Sequence, residues 1–591
     1  MTEPGDKQAD FDGGEALSPY SKDYWDLVFE QLGRRKLFKL AISILALIYA
    51  SAIYAPLLGN DRPYVLEAID YKAYGQAQRT LYPVALSVGR LVRQGPEGYE
   101  ADKSEGAEQD WEGALQAEVD AAENRIETLR SYLGPADTEL LDSFQEKLEA
   151  SVAAAGAGKS DEATALSKEA KEIAKEIRTE LAAVDPENPE AGGHELVPQK
   201  SYPLFETITS SEVFFMVLWA FVLLWPLWNG FWNRALLRGD RDRIRKARRP
   251  KLVLVVGTSL AASLLWGQLV GGEMVFEVSP LKRGLTTNEV VATRAVFPPF
   301  SYGFAETSSG ETFRAPTWTA ESEIDEEGYY VRGARVPEPD PITGYKPPGA
   351  PVEVRYSEPP RNSPWRHPMG TDSVGRDLLV RMLWGGRVSL SVGLVSAVLL
   401  VFIGTVIGAL AGYFRGWVDI LLSRLIEIVL CFPAFFLILM VVAFIDPNTI
   451  PPIIAIVIVI ACVRWTGVAR LARGEFLRLR EQEFTLAARA TGVPALRTIF
   501  RHVLPNAIGP ILVAGAFSVA SGILTESALS FLGFGVKHPI PSWGSLVTES
   551  RSAEHWWIQF FPGFAIFVTV VCYNLVGDAI RDAVDPKMKV Q

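Results

Sequence analysis

Apolar runs of about twenty residues recur along the chain, near 37–58, 211–229, 252–270, 387–412, 419–445, 451–468, 506–530 and 559–578. A helix of roughly 20 apolar residues crosses the ~30 Å hydrocarbon core of a bilayer, so these runs predict about eight membrane-spanning helices. Between the first two runs the pattern changes. Trp111–Leu133 and Asp137–Val184 are rich in Ala, Glu, Lys and Leu. Their apolar positions Leu115, Val119, Ile126, Leu129 and Leu133, then Leu140, Leu141, Phe144 and Leu148, recur at helical spacing. That predicts two or more amphipathic helices, packed as a hairpin about Gly134-Pro135. The stretch from Gly272 to Gly386 carries Pro, Gly, Ser, Thr and Tyr without helical period, which predicts irregular chain with short strands.

Charge orients these runs. Basic residues gather before the first (Arg34, Arg35, Lys36), between the second and third (Arg234 to Lys251), from the end of the sixth to the seventh (Arg464 to Arg501), and at the end (Arg581, Lys587, Lys589). With every run spanning, all four groups fall on one side, which the positive-inside rule makes cytoplasmic. Both termini are then cytoplasmic, and residues 59–210 and 272–386 lie outside. The net charge of −11 is concentrated: 59–210 alone carries about −15, and the rest is mildly basic. Nucleic acid is not a partner for so acidic a face. Ala50-Ser51-Ala52 has the small residues of a signal-peptidase site. The long positive segment before it and the apolar run past it predict an uncleaved anchor instead.

Little in the chain suggests chemistry. The three cysteines, Cys431, Cys462 and Cys572, sit in apolar runs and read as small packed hydrophobes. The five histidines have no ligand spacing, so no metal site is expected. Ala153–Ser160 reads AAAGAGKS, one glycine short of a phosphate-cradling loop. No strand precedes it and helical pattern flanks it, so it reads as a glycine-containing break between two helices. Within the runs, Arg424 and Glu427 are three apart and suit a local ion pair, while Glu526 is placed to face a pore or a partner subunit. Trp219, Trp225, Trp228, Trp232 and Trp266 near run ends read as interfacial anchors.

The informative stretch is EFTLAARATGVPALRTIFRHVLPNAIGP, Glu483 to Pro510. It predicts a short helix bearing small Ala487 and Ala488, a break near Gly492 and Pro494, and a basic amphipathic helix ending at Leu504-Pro505, where the next span begins. Small residues on an exposed helix let another protein approach closely, and the glycine permits the sharp turn. This stretch resembles the inter-span loop of ABC importer permeases, whose pattern is Glu-Ala-Ala, three residues, Gly, nine residues, Ile, one residue, Leu-Pro. Ala487, Ala488, Gly492, Leu504 and Pro505 stand at that spacing. Leu486 replaces the usual Glu, with Glu481 and Glu483 nearby, and His502 replaces Ile.

Three further motifs share the family order: HPMGTDSVGRD (His367–Asp377) with Leu378-Leu379 and Gly385–Leu390; ESALSFLGFG (Glu526–Gly535) with Pro541–Gly544; and Asn574–Asp578 with Arg581-Asp582 and Asp585-Pro586. They are similar to the dipeptide, oligopeptide and nickel subfamily, of the C subunit type, over Arg361–Gln591 and the first span. The resemblance implies a mainly α, polytopic type I importer permease in a bacterial inner membrane, importing peptides or peptide-like solutes. Its implied partners are a second permease, two ATPases that hold ATP and Mg, an extracytoplasmic solute-binding protein and membrane lipid. No enzyme site or cofactor is implied for the chain, and Ala487, Ala488, Gly492, Leu504 and Pro505 are its ATPase-coupling residues.

The expected organisation is a cytoplasmic segment (1–36), a first span (37–58), an acidic helical insertion (59–210), an extra two-span hairpin (211–271), a Pro-rich external segment (272–386) and a five-span core (387–591) with its coupling loop at 469–505. The family's first span joins its His-Pro segment by a short loop, so the intervening 300 or so residues here are an addition. An alternative reading is a membrane-anchored sensor or adaptor on a transporter-like core.

Overall fold

A computed structural model of the chain describes residues 24–102, 110–134, 138–183, 194, 196–236, 247–273, 275, 278–286, 289–308, 310–316, 366–446, 449–536 and 538–584. Residues 317–365 of the Pro-rich segment, 237–246 of the basic loop, Pro135, Asp585-Pro586, Lys587 and Lys589 lie outside the described residues. The elements run α1 (Tyr24–Arg34), α2 (Lys36–Ile53), β1 (Val65–Asp70), α3 (Tyr71–Asp102), α4 (Trp111–Tyr132), α5 (Glu139–Gly156), α6 (Ser160–Glu180), β2 (Gln199–Ser201), α7 (Ser210–Leu223), α8 (Trp225–Phe231), α9 (Arg248–Leu269), α10 (Pro280–Thr286) and β3 (Val290–Val296). They continue with α11 (Leu378–Phe414), α12 (Gly416–Leu430), α13 (Ala434–Phe444), α14 (Pro452–Arg480), α15 (Glu483–Ala490), α16 (Ala495–Phe531), α17 (Trp543–Val547) and α18 (Trp556–Val584).

Among the described residues six helices are long and apolar enough to span a bilayer: α2, α9, α11, α14, α16 and α18. Two bent pairs, α7–α8 at 69° and α12–α13 at 80°, bring the number to eight if each is one span. Proline explains both bends: Pro226 opens α8 and Pro433 precedes α13, and each removes a backbone donor and disfavours helix in the residue before it. The mainly helical architecture expected from the apolar runs is the one observed.

The chain forms two compact units. The first comprises Met1–Ala50, Gly385–Thr548 and Gln559–Gln591. In it α11 lies on α14 through Gly404, Gly408 and Gly412. A Cβ at these positions would stand 2.7, 2.4 and 2.6 Å from the carbonyls of Trp465, Ala469 and Arg473, so only glycine lets the backbones approach this closely. α14 runs on to Arg480, past residue 468 where the apolar run ends. Val468, Ala469, Ala472, Phe476 and Leu479 continue a buried stripe at helical spacing. Ala41 and Leu45 of α2 pack with Cys572 and Val576 of α18, joined by a 2.7 Å Tyr49–Tyr573 hydroxyl contact. Cys572 is buried as expected. Cys431 and Cys462 are instead exposed, Cys431 in the turn that follows α12 and Cys462 on the outward face of α14.

The second unit comprises Ser51–Trp384 and Glu549–Ile558. Its α3–α6 form a four-helix bundle around Leu81, Leu115, Ile126, Leu129, Leu141, Phe144, Leu148 and Ile177. The expected hairpin is therefore half of a larger bundle, with α3 packed on α4 and α6. The AAAGAGKS segment is the turn between α5 and α6. Gly158 takes φ 76°, and the amides of Ala157, Gly158 and Lys159 bond to Ala153, Ala155 and Ala154 as a helix C-cap. No amide of that cap is left to cradle a phosphate. β1 sits between β2 and β3 in an antiparallel sheet, with Leu66 opposite both Ser201 and Ala295, so chain on either side of the α7–α9 hairpin shares one sheet. In that hairpin Trp228 and Trp266 donate to the carbonyls of Phe221 and Ile208, each at 2.8 Å.

Candidate functional site

The stretch between α14 and α16 is built as a hydrogen-bonded bracket. α15 begins after Gln482, and its first turn is tied back to α14 by the Thr485 hydroxyl, which donates to the Leu479 carbonyl at 2.8 Å. The helix ends in a Schellman cap: the Gly492 amide donates to Arg489 O at 3.0 Å and the Val493 amide to Ala488 O at 3.1 Å. That cap requires a left-handed residue, and Gly492 supplies it with φ 78°. Pro494 then starts a new helix, which Thr498, fully buried, stabilises by donating to Pro494 O at 3.2 Å. Beneath the bracket Ile499 and Val503 pack into one core with Phe476, Leu479, Ala507 and Ile511.

The five residues read as coupling residues divide by position. Ala487 is exposed, Ala488 is buried, and Gly492 faces open space, since a Cβ there would meet nothing within 4 Å. Leu504 is half-buried in the core beneath the loop and Pro505 is exposed. The expected helix end at Leu504-Pro505 is not observed. The helix from Ala495 continues unbroken to Phe531, widened by one turn at Ile499–Val503. Pro505 has no amide to offer Arg501, and the wider turn accommodates that loss without breaking the helix. Around Ala487 the loop exposes Phe484, Leu486, Leu496 and Phe500, two of them more than half exposed. Of the two acids near Leu486, Glu481 pairs with Arg415 at 3.1 Å, leaving Glu483 exposed in the first turn of α15.

The polar residues of the spans sort differently from their sequence reading. Arg424 and Glu427 do form a local ion pair, at 2.6 Å. Glu526 faces neither a pore nor a partner. It is fully buried within the first unit and accepts hydrogen bonds from Ser389 at 2.8 Å and Ser530 at 2.7 Å. A carboxyl group buried in apolar helices needs such donors, and the two serines lie on α11 and α16 where only the fold brings them together. Arg464, counted from sequence among the loop cations, lies inside α14.

In the second unit the HPMGTDSVGRD segment is a buried charge knot at the start of α11. His367 bonds Asp377 at 2.8 Å and Glu311 at 2.9 Å, and Arg366 reaches Glu311 at 2.8 Å. Asp372 accepts from Arg376 at 2.6 Å and from Arg381, which also grips Glu549. Burial alone pushes the Glu311 carboxyl up, but hydrogen bonds and charge from His367 and Arg366 outweigh it and hold it well below the usual range. Burial likewise pushes His367 down, and Asp377 and Glu311 overcome that and raise it. Sequence reading found the motif but missed Glu311 and Glu549, which lie far from it in the chain. Among the described residues no group of His, Cys, Asp and Glu could hold a metal ion.

A core of apolar, span-length helices joined by a capped loop with exposed apolar side chains defines a multi-pass membrane protein with a surface open to a partner. The family described as binding-protein-dependent transport system inner membrane component matches residues 404–590. The chain is 41% identical to the dipeptide transport system permease protein DppC of Alkalihalophilus pseudofirmus over 227 residues, 38% of this chain and 73% of that relative. It is 42% identical to the oligopeptide transport system permease protein OppC of Haemophilus influenzae over 223 residues, 37% and 70% of the two chains. With the glutathione transport system permease protein GsiD of Pectobacterium atrosepticum it shares 38% over 239 residues, 40% and 76%. The chain belongs to this family of inner-membrane ABC importer permeases. It is a multi-pass transport subunit, and ATP hydrolysis belongs to partner ATPases.

Proposed function

We propose that the chain imports peptides or peptide-like solutes, forming the path with a second permease and drawing on two ATPases, which bind ATP and Mg, and a solute-binding protein. The observation that carries the coupling role is the bracket: α15 is hydrogen-bonded to α14, capped at Gly492 and joined by Val493-Pro494 alone to α16. A push on the exposed face around Ala487 therefore moves two spans together, the two-state element that alternating access needs. Ala487, Ala488, Gly492, Leu504 and Pro505 are its coupling residues: Ala487 and Gly492 admit the ATPase closely, Ala488 and Leu504 seat the loop on its core, and Pro505 stiffens the entry to α16. A cysteine at Ala487 should cross-link to the ATPase in the intact transporter, with ATP changing the yield; no cross-link in an ATP-hydrolysing complex would remove the docking role.

The proposed topology places both termini in the cytoplasm and the α3–α6 bundle outside, where its acidic face suits docking or gating toward the solute-binding protein. The domain limits 1–36, 37–58, 59–210, 211–271, 272–386 and 387–591 follow from that topology. A cysteine replacing Ala155 should be labelled by an impermeant reagent in intact spheroplasts. Labelling only after lysis would reverse the topology.

A further inference from the structure

Arg464 stands twelve residues into α14, about 18 Å along its axis and so within the ~30 Å that a bilayer covers. A charge at that depth faces a cavity or a partner group and marks function by default. It lines a cavity of about 450 Å³ bounded by α11, the α12–α13 bend, α14 and α16. The volume suits a small ligand. Leu400, Phe432 and Phe517 make most of the wall apolar, and Thr466, Ser518 and Ser521 add hydroxyls. Arg464 donates one Nη1 bond to Ser521, while its Nε is buried without a protein acceptor. The Ser518 hydroxyl already donates to Ala514 O at 2.7 Å. Among the described residues no carboxylate pairs with Arg464, and no acid lines the cavity.

We propose that Arg464 is an anion-binding point of the transport path that takes the C-terminal carboxylate of a short peptide. The inference rests on the peptide-import reading. A guanidinium held by one serine, with no carboxylate partner and with its Nε on no protein acceptor, beside an apolar cavity lacking any acid, is matched by a ligand that brings one carboxylate and otherwise modest polarity. A carboxylate in that position completes the charge that the fold leaves open. The rival occupant, an acidic side chain of the second permease, would make Arg464 an assembly residue.

The test compares uptake of trialanine and trialanine amide in cells carrying the complete transporter, with wild-type chain, Arg464→Gln and Arg464→Lys. Taking the ratio of variant to wild type for each peptide cancels the binding protein's own preference. Arg464→Gln should lower uptake of the acid at least tenfold and of the amide less than twofold, and Arg464→Lys should recover part of the difference. Equal loss for both peptides, or a variant complex that no longer assembles, overturns the carboxylate site. A wild-type transporter that imports neither peptide instead overturns the peptide reading on which the site rests.

Discussion

Gly492 separates what the fold requires from what a partner requires. Its φ of 78° is left-handed, which an ordinary L-residue adopts at about 1–2 kcal/mol. Yet a Cβ there meets nothing within 4 Å, so side-chain size adds no further strain within the chain. Gly492→Ala and Gly492→Trp should therefore destabilise the purified chain alike, lowering the unfolding midpoint by a few degrees each. Gly492→Asn, which tolerates the left-handed region, should cost less. Transport should respond to a different property. If an ATPase packs against this turn, the indole blocks it, so peptide uptake by Gly492→Trp falls at least tenfold below Gly492→Ala, and ATP hydrolysis no longer responds to substrate. Differential scanning fluorimetry and uptake in vesicles read the two effects separately. Equal uptake by the alanine and tryptophan variants would refute the reasoning, because the open space around Gly492 would then have no occupant.

Two other expectations concern the scaffold. Gly408→Ala puts a methyl 2.4 Å from the Ala469 carbonyl and should destabilise the α11–α14 contact by about 1–3 kcal/mol, whereas Gly474→Ala, with open space around it, should be neutral or stabilising, as thermal unfolding of both variants will show. The charge knot sets a pH window: Glu311, held below 4.5, contributes stability above that pH that is lost as pH falls through its folded value, and His367, raised above 6.5, contributes stability below that pH that is lost as pH rises through its folded value. His367→Gln should flatten the alkaline fall of the unfolding midpoint, and an unchanged slope would exclude His367 as its cause.

Local patterns were legible and distant pairings were not. Eight apolar runs and the loop from Glu483 to Pro510 could be read because hydrophobic length, glycine and proline act within a few residues. α3 was missed because Pro83 and Gly95-Pro96 punctuate its pattern, and the helix does turn at Gly95, with φ 65°. Glu526 was misplaced because Ser530, one turn along its own helix, does not by itself show burial, and its second donor, Ser389, comes from a helix 137 residues away. Glu311 and Glu549 were missed because they too lie far in sequence from the groups they bind. Gly404, Gly408 and Gly412 carried a signal that could have been used, since small residues four apart mark close helix contact in membranes. Arg464 was counted with the loop cations, although it falls inside the 451–468 run, because it opens the arginine series that continues to Arg501.

The central claim is that this chain carries peptide across a membrane at the expense of ATP hydrolysed elsewhere, through the bracket at Ala487–Gly492. Its most direct test is uptake of labelled tripeptide into proteoliposomes holding the chain with its second permease and ATPases. Accumulation that requires ATP and the solute-binding protein, and that Gly492→Trp abolishes, is the predicted result. A chain that purifies as a homo-oligomer without ATPases and accumulates no peptide would contradict the account.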